Sequence, residues 1–162
     1  MEDYRKMAEA NLRRGREIIA ETQLVESWEA IGAQANLIGS LSTGLMMKKL
    51  DIDMHVYTDT LSIKESFRAA ARIASHPGIV RMEYTNLIDT EEECIEWHAA
   101  YRDRDGRMWK MDMIHIRRGS AYDGFAERMA SRIGAVLTEE TRDAILRLKY
   151  ETPDTESIIG AE

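Results

Sequence analysis

Asp51 and Asp53, one residue apart in "DIDMHVYT", are the side chains of this sequence best spaced to do chemistry together. The segment alternates strictly: Asp51, Asp53, His55 and Tyr57 point one way, while Ile52, Met54 and Val56 point the other, which is the pattern of a strand with one buried face. On such a strand the two carboxylates leave the backbone roughly 6 to 7 Å apart on one face. Two like charges about 4 Å apart in a protein environment cost on the order of 4 kcal/mol, so a half-buried acid pair calls for a counter-ion. Hard divalent cations answer that need, Mg²⁺ above all. Mg²⁺ takes one or two protein carboxylates together with substrate phosphates. The pair therefore points to phosphate chemistry.

The preceding stretch, "LIGSLSTGLMMKKL", supports this direction. Residues 30 to 38 read as a strand that Gly39-Ser40 ends. The short helical segment "STGLMMKK" behind that turn would place Lys48 and Lys49 at its end. Backbone N–H groups and the Ser40 hydroxyl can then face an anion lying between Ser40 and the aspartates.

The elements that must position these groups are legible from periodicity. Residues 3 to 26 read as one long amphipathic helix. Ser62 with Glu65 forms a capping box for a helix whose stripe is Ile63, Phe67, Ala70, Ala71 and Ala74, and which "HPG" stops. Three strands follow, in "IVRMEYTNLI", "ECIEWHAAYRD" and "RMWKMDMIHI", the last two joined through Asp105-Gly106 read as a two-residue turn. One closing helix begins near Ser120 with Phe125, Met129, Ile133 and Val136 on one face, and a second runs from about Thr138 to Tyr150. The expected fold class is α+β: a mixed sheet with flanking helices, an antiparallel hairpin late in the chain and two C-terminal helices.

An apolar residue, Gly-Ser, ten residues, then Asp, an apolar residue and Asp, here Ile38-Gly39-Ser40 and Asp51-Ile52-Asp53, resembles the signature of the polymerase-beta-type nucleotidyltransferase superfamily. That family carries a third carboxylate on a later strand, and "KMDMI" offers Asp112. With a two-residue turn, Arg104 pairs with Arg107 and Asp112 falls opposite Ala99, on the face of Trp97, Tyr101 and Lys110. Glu96 would then point away with His98, and Glu83 is a second rival for the third acid.

The resemblance implies that Asp51 and Asp53 bind metal, that Asp112 binds a second metal or deprotonates the acceptor, and that Gly39 and Ser40 form the triphosphate turn. Lys110 and His55, on the aspartate face, are further candidates for nucleotide contact. It also implies nucleotidyl transfer from an NTP, ATP first, with two Mg²⁺ ions. Many members have a basic residue soon after Gly-Ser, where this chain has Leu41-Ser42-Thr43. A non-catalytic nucleotide-binding or interaction module of the same fold is the competing reading.

The chain of 162 residues carries a net charge of −7, and its last twelve residues hold four acids and no base, leaving −3 on residues 1 to 150. Residues 1 to 150 read as one domain and 151 to 162 as a flexible acidic tail. With no basic stripe, nucleic acid is not the expected partner. A small-molecule or protein acceptor is, with the cleft completed either by the two C-terminal helices or by a second subunit, in a homodimer or with a partner subunit. One cysteine, Cys94, gives no intramolecular disulfide. No apolar run is long enough for a signal peptide core or a membrane span, so the expected location is the cytoplasm.

Overall fold

The computed structural model describes residues 3 to 154 as six helices around a five-stranded sheet. In chain order the elements are α1 (Tyr4–Glu21), α2 (Leu24–Glu29), β1 (Gln34–Ile38), α3 (Gly39–Thr43), β2 (Asp51–Thr58) and α4 (Ile63–Ala74). Then come β3 (Ile79–Leu87), β4 (Cys94–Arg102), β5 (Met108–Arg117), α5 (Phe125–Val136) and α6 (Glu139–Glu151). The strands lie in the order β1-β2-β5-β4-β3. β2 and β5 are parallel, and every other pair is antiparallel. The expected mixed α+β sheet is present, as are the late hairpin and the two C-terminal helices.

One sheet face is dry. Ile52, Met54 and Val56 of β2, Ile95, Trp97 and Ala99 of β4, and Met111 and Met113 of β5 pack there against Ile18 of α1, Leu24 and Trp28 of α2, and Ile73 of α4. The alternation of β2 places Asp51, Asp53 and His55 on the opposite face. That face is only partly covered. α5 is held to it where the Tyr57 hydroxyl donates to Glu127 at 2.7 Å, and α6 packs on α1.

Several expectations are corrected by packing. The long first helix breaks at Thr22, whose hydroxyl donates to the Ile18 carbonyl, and at Gln23, whose φ is +51°. The break turns Leu24 and Trp28 onto the sheet. The first strand starts at Gln34 rather than residue 30, because Ile31 and Gly32 still donate to carbonyls of α2. α3 is Gly39–Thr43 and stops at Gly44, so Lys48 and Lys49 follow buried Leu45, Met46 and Met47 and do not end a helix. The first of the two closing helices begins later than Ser120, at Phe125 after turns at 120 to 123, while the second starts as expected, at Glu139 with Thr138 as its N-cap.

The buried stripe of α4 is Ser66, Ala69, Ala70 and Ile73, whereas Ile63 and Phe67 are 41% and 44% exposed. A polar anchor explains this rotation. Trp97 Nε1 donates to Ser66 Oγ at 2.9 Å, and His115 Nδ1 lies 3.0 Å from the same oxygen, so the serine must face the sheet.

The hairpin is the largest correction. Asp103 N–H donates to the Arg107 carbonyl and Gly106 N–H to the Asp103 carbonyl, and the β4–β5 ladder closes at Arg102 and Met108. Residues 103 to 107 form the loop in place of a two-residue Asp105-Gly106 turn. The reason lies outside the hairpin: Asp103 is buried and ion-paired to Arg14 of α1 at 2.6 Å. The register shifts by one residue, which exchanges faces on β4. Asp112 pairs with His98, not with Ala99.

α6 continues through Glu151, and Lys48 Nζ donates to the Thr152 carbonyl at 2.6 Å. Residues 155 to 162, most of the expected acidic tail, lie outside the described residues. None of the described helices is long and apolar enough to cross a membrane.

Candidate active site

The register builds the open face in rows. Asp53 is flanked by Ile38 of β1 and Asp112 of β5, and Asp112 is flanked by His98 of β4, which in turn meets Glu83 of β3. The row before it holds Asp51 beside Lys110, and the row after it holds His55, Ile114 and Glu96. Parallel pairing of β2 with β5 is what brings Asp112 next to Asp53, although 58 residues separate them in the chain.

Both rivals for the third acid share the face of Asp112, which the expected register denied for Glu96. Glu83 is three strands from Asp53, roughly 14 Å at about 4.8 Å per strand, too far to share an ion. Glu96 is linked through His98. The imidazole lies 2.5 Å from Asp112 Oδ1 by Nδ1 and 3.3 Å from Glu96 Oε2 by Nε2.

The electrostatics are those of a site short of positive charge. Burial pushes the Asp53 carboxyl up to about 7, helped by Asp112 and Asp51, and Asp112 hydrogen bonds to its protonated form. Burial also raises Asp51, against the attraction of Lys110. Lys110 Nζ lies 3.6 Å from Asp112 Oδ2.

His55, lowered mainly by burial, is half-buried one row beyond Asp53. A group of three oxygen donors short of counter-charge fits the chemistry of Mg²⁺. Among the described residues, Glu92, Cys94 and Glu96 have ligand atoms that all fall within 4.8 Å of one another.

At the Asp51 end stands a residue that sequence reasoning missed. Lys149 of α6 donates from Nζ to Ser40 Oγ at 3.2 Å and to the Leu45 carbonyl at 2.7 Å. Burial lowers its pKa, while Asp51 and Asp53 hold it up. Its signal in the sequence was weak: it lies three residues after the buried Leu146, on the inward face of its helix.

Gly39 has φ +69°, and a Cβ there would sit 2.5 Å from Asp53 Oδ2. The turn after β1 thus presses directly on the acid. Lys48 and Lys49 are exposed at the surface beyond it.

Beyond the aspartates, at the other end of β2, a pocket of about 220 Å³ is floored by Ile114 and Ile116. His55, Glu92, Cys94, Glu96 and Tyr122 complete its lining. Burial pushes the Cys94 thiol up to about 12, with Glu96 and Glu92 adding to the effect, so it is not a nucleophile near neutral pH.

No family model and no curated protein matches the sequence. The structure is similar to the Cid1 poly(U) polymerase with MgGTP bound, at TM-score 0.54 and 16% identity over 78% of this chain and 38% of that one. It is also similar to Cid1 in a structure described for its RNA terminal uridylyl transferase activity, at TM-score 0.53 and 16% identity over 83% and 43%. A third likeness is to the polymerase core of TRAMP, an RNA surveillance complex, at TM-score 0.51 and 15% identity over 83% and 39%. The chain spans less than half the length of these polymerases. The fold of this chain is that of the polymerase-beta-type nucleotidyltransferases.

Proposed function

We propose that this chain is an Mg²⁺-dependent nucleotidyltransferase, moving a nucleoside monophosphate from an NTP, ATP first, to a hydroxyl of a small molecule or a protein in the cytoplasm. The observation that carries this reading is the order of groups along the open face. Ser40 and Lys149 lie at one end, Asp51, Asp53 and Asp112 in the middle, and the pocket at the other end.

In-line transfer needs this order. The acceptor oxygen forms its bond to the α-phosphorus as the bond to the bridging oxygen breaks, and pyrophosphate departs on the far side. Lys149 Nζ and Ser40 Oγ hold the triphosphate at that departing end, and the lysine offsets the charge that develops there. Asp51, Asp53 and Asp112 would hold Mg²⁺, whose bound charge neutralises the phosphate oxygens. The acceptor enters from the pocket. Asp112 takes its proton, oriented for this by the His98 hydrogen bond and flanked by Lys110. Gly39 sets the turn, and His55 borders both nucleotide and acceptor.

The pocket carbons and its two glutamates favour a neutral or cationic acceptor over a polyanion such as RNA. Calorimetric titration of Mg²⁺ with ATP, GTP, CTP and UTP, on the native chain and on an Asp51→Ala, Asp53→Ala variant, tests the site. Binding by the native chain and its loss in the variant are expected. No Mg²⁺-dependent binding, or binding unchanged in the variant, refutes the reading. Labelled-NTP transfer to a small-molecule pool, a protein extract and an oligoribonucleotide then tests the acceptor; transfer to the oligoribonucleotide alone overturns that part.

A further inference from the structure

The outer edge of β3 is long and open. Six of its nine positions are exposed, and among the described residues no strand pairs with that edge. Such an edge presents unpaired N–H and C=O groups to any strand that can match it. Two of its side chains, Arg81 and Glu83, project from the same face as the candidate active site and are ion-paired to each other. On the opposite face Tyr84 stacks in a three-ring cluster with Phe67 and Trp97, with ring centroids 4.7 to 5.1 Å apart. Phe67 and its helix neighbour Ile63 stay exposed over less than half of their surface.

We propose that a second copy of this chain covers this edge, pairing β3 with β3 antiparallel about a two-fold axis through Met82. The charges select both the partner and the register. A two-fold axis normal to the sheet requires pairing about a single residue. Centred on Met82, each Arg81 faces the partner copy's Glu83, and the four charges alternate so that every one has an opposite neighbour both along and across the strands. Centred on Arg81 or on Glu83, like charges meet.

Beyond the irregularity between Ile79 and Arg81, the charges of this edge are complementary to themselves. On the other face, the exposed Ile63, Phe67 and Tyr84 would meet their copies, giving the seam an apolar side. Both candidate active sites would open on the same side of one continuous sheet. Their Asp112 residues would be roughly 24 Å apart, five strand spacings of about 4.8 Å.

Sedimentation of the full chain over a range of concentrations tests this. The native chain should form a dimer, and Arg81→Glu or Glu83→Arg alone should weaken it by about tenfold or more, since each reversal creates two like-charge contacts per dimer. The two single variants mixed in equal amounts should associate again, as should the double variant carrying both reversals. Misfolded chains would not rescue one another, so recovery separates lost pairing from lost folding. A native chain that stays monomeric at every concentration refutes the proposal. So does a dimer that neither reversal weakens, or one that the complementary mixture fails to restore. In those cases the edge belongs to another protein, to residues 155 to 162 of this chain, or to solvent.

Discussion

Lys149 Nζ lies 3.2 Å from Ser40 Oγ, so the last described helix reaches back 109 residues to the turn that follows the first strand. This contact places a half-buried positive charge where the segment after Gly39-Ser40 has none. Lys149→Met should therefore weaken Mg²⁺–NTP binding by about 10- to 100-fold, the worth of a charge-assisted hydrogen bond. Titration calorimetry measures it. An affinity within twofold of the native value would remove Lys149 from the site.

Asp53 should trade stability for function. Its carboxyl is raised to about 7, well above its unfolded value near 3.9, so the folded state holds its proton longer. Stability then falls as pH rises from about 4 to 7, and the whole penalty is present above 7. Asp53→Asn removes that penalty. It should melt higher than the native chain at pH 8, by about 2 to 4 °C for each kcal/mol relieved, with the difference shrinking towards pH 4. Transfer activity should vanish in the same variant. Thermal melts at the two pH values, with and without Mg²⁺, check this; added Mg²⁺ should narrow the gap by stabilising only the native chain.

Arg14 and Asp103 predict the opposite pH behaviour. Hydrogen bonds from Arg14 hold Asp103 down at about 2, below its unfolded value, so their stabilisation is present above about 4 and is lost as pH falls towards 2. A depression of this size is worth about 2 kcal/mol. Asp103→Asn leaves the half-buried Arg14 with only Glu17 and Glu21 as charged partners and should cost about 1 to 3 kcal/mol at neutral pH. Urea unfolding from pH 2 to 7 should show the acid slope in the native chain and a flatter profile in the variant.

Gly39 is pinned by both conformation and contact. Gly39→Ala puts a side chain at φ +69° and a Cβ 2.5 Å from Asp53 Oδ2, which should lower stability by about 1 to 3 kcal/mol and weaken Mg²⁺–NTP binding. Gly32→Ala is the control. Its φ is +82° with open space around the new carbon, so it isolates the backbone effect and should leave nucleotide binding intact. Equal losses of binding in both variants would rule out the contact with Asp53.

By itself the sequence determined what is local. The two-residue period of β2 placed Asp51, Asp53 and His55 on one face and Ile52, Met54 and Val56 on the other, because alternation follows from the pleat alone. Gly39-Ser40 marked the turn, and Ser62 with Glu65 the start of α4. Tertiary structure decided the rest, since it depends on contacts between distant segments. The Arg14–Asp103 pair enlarged the hairpin loop and so brought His98, rather than Ala99, beside Asp112. Ser66, held by Trp97 and His115, turned Phe67 out towards the β3 edge. Lys149 entered the site through the packing of α6, a placement that no spacing within 109 residues of chain encodes, because only the folded core fixes where two such segments meet.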